Sequence, residues 1–353
     1  MTAETAAGAD GIDRTHRTGA AGRLPLLTSD KPLAQAYDTA LLDLDGVVYR
    51  GADAVPHAAD ALREAETQGM RRAYVTNNAS RTPEAVAEHL NELGVPALPH
   101  EVVTSAQAAA RMAHACVGDG GRVLVIGGPG LLAAVKELGL KPVPSADDVP
   151  AVVVQGYSPD LGWKDLAEAT YAVRAGVPWI ATNTDTTVPT ARGIAPGNGT
   201  LVAAVRAASG VVPQVAGKPE LPLHRESILR SGANRPLIVG DRLDTDIEGA
   251  VRGNTDSLLV LTGVTTVPDL IAAPPDRRPN YIAEDLRGLL TTHVAPTRDG
   301  VGFALGRTTA AVVSGRVVLH ANGDKMDAVR VMCAAVWAHD GKADASEALA
   351  SLA

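Results

Sequence analysis

Two aspartates stand one residue apart at the end of an apolar run, Thr39-Ala40-Leu41-Leu42-Asp43-Leu44-Asp45-Gly46, and side chains of this type at this spacing can do acid–base or metal chemistry. A run of this kind bounded by Asp and Gly reads as a buried parallel strand, and open α/β sheets bind ligands outside the carboxyl ends of such strands. In extended chain residues i and i+2 project from the same face, so Asp43 and Asp45 are expected to point into one crevice. Two carboxylates that close repel unless a divalent cation or a shared proton relieves them. Asp-x-Asp also occurs in ordinary surface turns, so the pair needs support from the rest of the chain.

That support comes from three later strands. Arg72-Ala73-Tyr74-Val75 runs into Thr76-Asn77-Asn78-Ala79-Ser80-Arg81, hydroxyl and amide groups ahead of a helix start at Thr82-Pro83-Glu84. Backbone N–H groups and hydroxyls at such a place make an anion site, although Ser80 or Thr82 reads best as a helix cap. Gly217-Lys218-Pro219 holds one lysine in a glycine–proline turn before a helical stretch. Pro236-Leu237-Ile238-Val239-Gly240 then delivers Asp241 at a strand tip, with Asp244 and Asp246 close behind. For Asp244 and Asp246 the plainer reading is an N-cap.

The ordered set resembles the haloacid dehalogenase superfamily of aspartate-nucleophile phosphohydrolases. Its four motifs match Asp43-Leu44-Asp45-Gly46, Val75-Thr76-Asn77, Gly217-Lys218-Pro219 and Gly240-Asp241-Arg242-Leu243-Asp244-Thr245-Asp246, across roughly residues 36 to 290. The motif wording is similar to the para-nitrophenylphosphatase-like (NagD-like) branch. The resemblance implies a Rossmann-like parallel-sheet core with an inserted α/β cap domain. It implies Asp43 as a nucleophile forming an aspartyl-phosphate, and Asp45 as the acid that protonates the leaving alcohol and later deprotonates water. Mg²⁺ is implied as cofactor, on the Asp43 carboxylate, the Asp45 backbone carbonyl and Asp241. Thr76, the Asn77 N–H and Lys218 are implied to bind the phosphoryl group, and Asp246 to orient Lys218 or a metal-bound water. The expected substrate is a small phosphorylated metabolite, first glycerol 3-phosphate. Phosphoglycolate, pyridoxal phosphate, nucleotides and sugar phosphates stand as alternatives, followed by a phosphomutase or a non-catalytic metabolite sensor.

Composition permits this and excludes other classes. The 353 residues exceed the ~250–300 at which one core stops growing, so more than one domain is expected. Lys+Arg 32 against Asp+Glu 40 gives a net charge of −8, which offers no general attraction for nucleic acid or anionic membrane. Aromatic residues at 3% supply no base-stacking platform. Cys116 and Cys333, without metal-ligand spacing, read as buried thiols in a reducing compartment. No apolar run approaches the roughly 20 residues that span a bilayer, and the first residues lack a signal-peptide core, so a cytoplasmic enzyme is expected.

Residues 1–35 read as a disordered leader, 36–118 and 196–292 as two parts of the core domain, and 119–195 as the inserted cap. Cap strands are expected at 122–126, 152–154 and 179–181, with helices near 131–138 and 164–175 ending at Gly139 and Gly176. Gly128-Pro129-Gly130-Leu131-Leu132-Ala133 matches a dinucleotide fingerprint, but a lone fingerprint is weak and we read it as a βα turn. In the cap loop, Asp185, Val188 and Arg192 are the candidate specificity contacts. Some pyridoxal-phosphate-selective relatives have a histidine where Val188 aligns. Residues 293–340 read as a small ββα extension, with Met326, Val329, Met332, Cys333, Val336 and Trp337 at helical spacing, and 341–353 as a frayed tail. Such a unit is too small to hold its own core, so it is expected to dock on the main body or on a second chain of a homo-oligomer.

Overall fold

The structure, a computed structural model, describes residues 26–190, 192–339 and 342–352. The chain divides into two units, one built from the residues up to Arg72 together with those from Ala233 onward, the other from Ala73–Gly232.

In the first unit the apolar run forms the strand Thr39–Leu42, buried at every residue. It pairs in parallel with Pro236–Gly240, which pairs with Asp256–Val260 and that in turn with Tyr281–Ala283. Burial on both faces of parallel strands explains why they read as unbroken apolar runs rather than alternating ones. The register aligns Leu42 with Val239 and Gly240 with Leu259, so the acids that follow Leu42 and Gly240 leave the sheet at the same end.

The extension after residue 290 is richer than ββα. Four antiparallel strands, Thr297–Asp299, Gly302–Leu305, Thr308–Val313 and Arg316–His320, precede the helix Lys325–Trp337. The expected hairpin is there: Ser314 and Gly315 take φ of 50° and 79°, as the two central residues of a type I′ turn must. From Ala328 to Trp337 every helix residue except Arg330 is buried. Its apolar residues share one core with Phe303, Ala310 and Val317 of the new sheet and with Leu259, Leu270 and Ile282 of the parallel-sheet body. The docking is also polar. Arg278 stacks on Trp337 at 5.4 Å and donates to the Trp337 carbonyl at 3.3 Å, and the Trp337 indole donates to the Leu270 carbonyl at 3.2 Å. The extension thus docks on the body of its own chain. Beyond it, the tail expected to fray carries a short helix, Ser346–Ala350, with Ala348 buried.

Of the expected leader, residues 1–25 lie outside the described residues. Residues 26–35 are ordered: Leu26 and Leu27 are buried, Ser29 bridges His293, and the helix Leu33–Ala36 follows.

In the second unit the strands Arg71–Thr76 and Val102–Thr104 run parallel. A five-stranded parallel sheet follows, ordered Gln214–Val215, Trp179–Ala181, Val152–Gln155, Arg122–Ile126, Lys141–Val143. The insert's sheet therefore extends beyond residue 195, and the helices Trp163–Arg174 and Asn198–Ser209 share its apolar core. Gly139 and Gly176, read as helix stops, take φ of 70° and 90°. The fingerprint glycines have a packing role: a Cβ on Gly130 would lie 2.3 Å from the Arg81 carbonyl oxygen. Thr82 caps its helix as expected, accepting the Ala85 N–H. Cys333 is buried but Cys116 is exposed, contrary to the reading of both as buried thiols. Among the described residues no helix is long and apolar enough to cross a membrane.

Candidate active site

Asp43 begins where the strand Thr39–Leu42 ends, its N–H still donating to the Val239 carbonyl at 2.8 Å. The chain then turns at once. Gly46 takes φ of 87°, a left-handed conformation that costs glycine nothing, and its N–H closes the turn on the Tyr49 carbonyl at 2.8 Å. On the neighbouring strand Asp241 is fully buried, one carboxylate oxygen accepting the Val264 N–H at 2.6 Å. Three glycines make room for these acids. A Cβ on Gly46 would lie 2.6 Å from Asp241 Oδ2, one on Gly263 would lie 2.0 Å from the same atom, and one on Gly240 would lie 2.2 Å from Asp246 Cβ.

Asp246 arrives by an unusual route. Leu243–Ile247 form a turn of π-helix, a form found mostly as single turns near functional sites. The turn carries the Asp246 carboxylate back to accept the Arg242 N–H at 3.1 Å. Asp43, Asp241 and Asp246 each offer a carboxylate oxygen to a group within 4.8 Å. Three acids this close repel unless a cation lies among them, and an all-oxygen donor set suits a hard divalent ion such as Mg²⁺. Asp246, expected to orient Lys218 or a metal-bound water, stands together with Asp43 and Asp241 in this carboxylate cluster. Neither it nor Asp244 is an N-cap.

Asp45, two residues from Asp43, is exposed, yet partial desolvation raises its carboxyl above the usual range, against the pull of the Arg242 charge. Such a carboxyl is suited to carry a proton. Arg242 is held by Asp244 through two bonds, at 3.1 and 2.9 Å, and these hydrogen bonds lower the Asp244 pKa.

The second unit gathers the remaining groups. Thr76 ends its strand, buried, with its hydroxyl oxygen accepting the Asn78 N–H at 3.0 Å. Lys218 lies in the turn closed by Glu220 N–H on the Gly217 carbonyl, and its Nζ donates to the Val75 carbonyl at 3.3 Å. The Asn77 side chain meets the lysine backbone and also lies 3.3 Å from the Asp185 carboxylate. Of the three cap-loop candidates, Asp185 alone is so grouped. Val188 sits in the hairpin strand Thr187–Thr190 opposite Ala195, and Arg192 is exposed in the hairpin turn.

Sequence reasoning missed the segment Thr262-Gly263-Val264. It supplies the N–H to Asp241 and the void beside it, and Thr262 donates to the Gly46 carbonyl at 2.6 Å. A glycine shortly after the strand Asp256–Val260 was the available signal, but no charged group drew attention to it.

Comparison with known proteins gives the same picture. A family model described as haloacid dehalogenase-like hydrolase matches residues 40–141, and a related hydrolase-like model matches 215–289. A GCN5-related N-acetyltransferase like domain matches residues 308–353. The D-glycerol 3-phosphate phosphatase of Mycobacterium tuberculosis is 45% identical over 320 residues, 87% of this chain and 88% of that one. The crystal structure of glycerol phosphate phosphatase from that organism in complex with magnesium has a TM-score of 0.81 at 45% identity, covering 87% of this chain and 92% of the other. Its complex with calcium gives 0.83 at 43%, covering 91% and 97%. A thermostable NPPase from Geobacillus stearothermophilus, 34% identical, gives 0.64 over 71% of this chain and 96% of its own. With four motifs in order, an acid cluster at the strand ends and relatives that match nearly end to end, the chain belongs to the haloacid dehalogenase family of hydrolases, in its para-nitrophenylphosphatase-like branch.

Proposed function

We propose that the protein is a Mg²⁺-dependent phosphomonoesterase of the cytoplasm that hydrolyses glycerol 3-phosphate to glycerol and phosphate. The observation that carries this reading is the cluster of Asp43, Asp241 and Asp246 with Asp45 two residues away from Asp43, in a chain 45% identical to a D-glycerol 3-phosphate phosphatase over 320 residues. The Asp43 carboxylate attacks phosphorus, the bond to the alcohol oxygen breaks, and Asp45 delivers its proton to that oxygen. Asp45, now a carboxylate, takes a proton from the water that attacks the aspartyl-phosphate, which regenerates Asp43 and releases phosphate. The covalent intermediate divides one difficult displacement into two easier ones. Asp43, Asp241, Asp246 and the Asp45 backbone carbonyl would hold Mg²⁺, which would supply the positive charge that lets a carboxylate approach a phosphate dianion. Thr76, the Asn77 N–H and Lys218 bind the phosphoryl oxygens and hold them for attack. Asp185, Val188 and Arg192 set the choice of leaving group, Arg192 through a charge-assisted bond to a substrate oxygen.

The test is phosphate release from a panel of glycerol 3-phosphate, phosphoglycolate, pyridoxal phosphate, nucleotides and sugar phosphates, with Mg²⁺ supplied and then chelated. Highest kcat/KM on glycerol 3-phosphate, lost on chelation, is expected. A higher value on another member reassigns the substrate. Transfer of phosphate between positions of a substrate without release makes the protein a mutase, and no turnover of any member rejects the reading. Replacing Asp185, Val188 and Arg192 should re-rank the panel without altering metal dependence. A uniform slowing would make the loop structural.

A further inference from the structure

The Asn77 side chain meets Lys218 at two points. Its Oδ1 accepts the Lys218 N–H at 2.8 Å and its Nδ2 donates to the Lys218 carbonyl at 3.2 Å. A carboxamide is the smallest side-chain group that offers one donor and one acceptor side by side, as a peptide group does. A carboxylate at the same place would set an acceptor against the Lys218 carbonyl and a second charge beside Asp185, and a hydroxyl is too short to reach both groups.

The surroundings fix Asn77 in turn. Its carbonyl accepts from the Ser105 hydroxyl at 2.6 Å and from Asn183 Nδ2 at 2.7 Å, and its Nδ2 lies 3.4 and 3.3 Å from the two Asp185 oxygens. The approach is close enough to dictate the residue before the lysine: a Cβ on Gly217 would lie 2.5 Å from Asn77 Oδ1 and 2.6 Å from the Thr182 carbonyl oxygen. With Lys218 Nζ bonded to the Val75 carbonyl at 3.3 Å, the lysine is tied at its backbone and at its tip to residues flanking Thr76.

We infer that the Asn77 carboxamide is a positioning residue for Lys218, acting through the lysine main chain and fixing where the ammonium is presented to the phosphoryl group. The inference rests on the phosphatase reading above. It concerns the side chain alone, since the Asn77 N–H survives any substitution there except proline.

The experiment is a double-mutant cycle on the full-length protein with para-nitrophenyl phosphate and Mg²⁺. Asn77→Ala should lower kcat by about 10- to 100-fold with little change in KM, the cost of a misplaced group rather than of lost binding. On a Lys218→Ala background the same substitution should lower kcat no further, because a residue that acts through the lysine has nothing left to position. Losses that multiply, or an Asn77→Ala enzyme with wild-type kcat, overturn the inference alone. Absence of phosphate release by the wild type overturns the functional reading and this inference with it. If Asn77→Ala does not fold, Asn77→Leu, of similar size, uncharged and without either polar atom, carries the same cycle.

Discussion

The acid loops and the C-terminal extension belong to one unit of the chain and are built on opposite principles. At the acid loops single atoms decide: a Val264 N–H on Asp241, a missing Cβ at Gly263, one extra residue in the turn before Asp246. In the extension no atom is singular. The helix Lys325–Trp337 is apolar on nearly every side, and its hold on the body is an area of contact supplemented by the Arg278–Trp337 pair. Chemistry demands particular groups at particular distances, whereas burial asks only for volume and apolarity. The two regions should therefore fail differently when altered.

The sharpest break of this contrast is Asp43→Asn, which should reduce turnover by at least roughly 10³-fold while the protein stays folded, since an amide is a poor nucleophile. Substantial Mg²⁺-dependent phosphate release by that variant would refute the assignment. Asp45→Asn should slow an alkyl phosphate far more than an activated aryl phosphate, whose leaving group needs no proton. Equal losses on both would count against Asp45 as the acid.

Next in size is Gly263→Ala, which adds a methyl group where Asp241 already stands. We expect kcat to fall by about 100-fold and the Mg²⁺ needed for half-maximal rate to rise, with a smaller change in melting temperature. Unaltered Mg²⁺ titration would show that the loop yields and that the glycine is not needed.

The extension should give the reverse pattern. Met332→Ala removes a fully buried side chain and should destabilise by about 2–5 kcal/mol in denaturant unfolding, with kcat unchanged. Truncation after residue 290 removes the whole layer and should leave a protein that melts far lower or does not fold. A truncated chain of unchanged thermal stability that had lost its turnover would place the extension at the active site instead.

The smallest expected effect is a pH dependence. Burial lowers the His293 pKa from 6.5 to about 4, so the folded protein keeps this ring neutral while the unfolded chain protonates it below about pH 6.5. The stabilisation is whole above that pH and is lost as pH falls toward 4, the loss reaching roughly 2 kcal/mol at pH 5. His293→Gln should flatten the fall in melting temperature between pH 7 and 5. An undiminished fall would assign it elsewhere, first to His224, whose pKa burial also lowers to about 4.

The acids at strand ends were legible because an apolar run, an Asp and a Gly coincide there, as at Asp43 and Asp241. The helix stripe from Met326 to Trp337 was legible through its period. What escaped was set by contacts between distant segments. That Ala328, Val331, Ala334 and Ala335 are also buried depends on a four-stranded sheet against one side of the helix and a core against another. The place of Asp246 in the acid cluster depends on a π-turn that no residue type announces. Asn77 was read for its backbone N–H, yet its side chain pairs with Lys218, 141 residues later. Residues 26–35 were assigned to a leader by composition, but Leu26 and Leu27 are buried, and the Leu27 N–H donates to the Asn280 carbonyl at 3.0 Å.

The division of the chain also has a meaning in time. Ala73–Gly232 is continuous, so every residue of that unit has been made once Gly232 has been added. The other unit begins before it and needs residues well beyond it, because the buried helix Lys325–Trp337 belongs to its core. At roughly 5–20 residues per second, its first strand waits about 10–40 s for its partner strand Pro236–Gly240. During synthesis the strand Thr39–Leu42, buried at every residue in the folded unit, is made long before Pro236–Gly240, and the acids that follow the two strands cannot meet until Asp246 has been added.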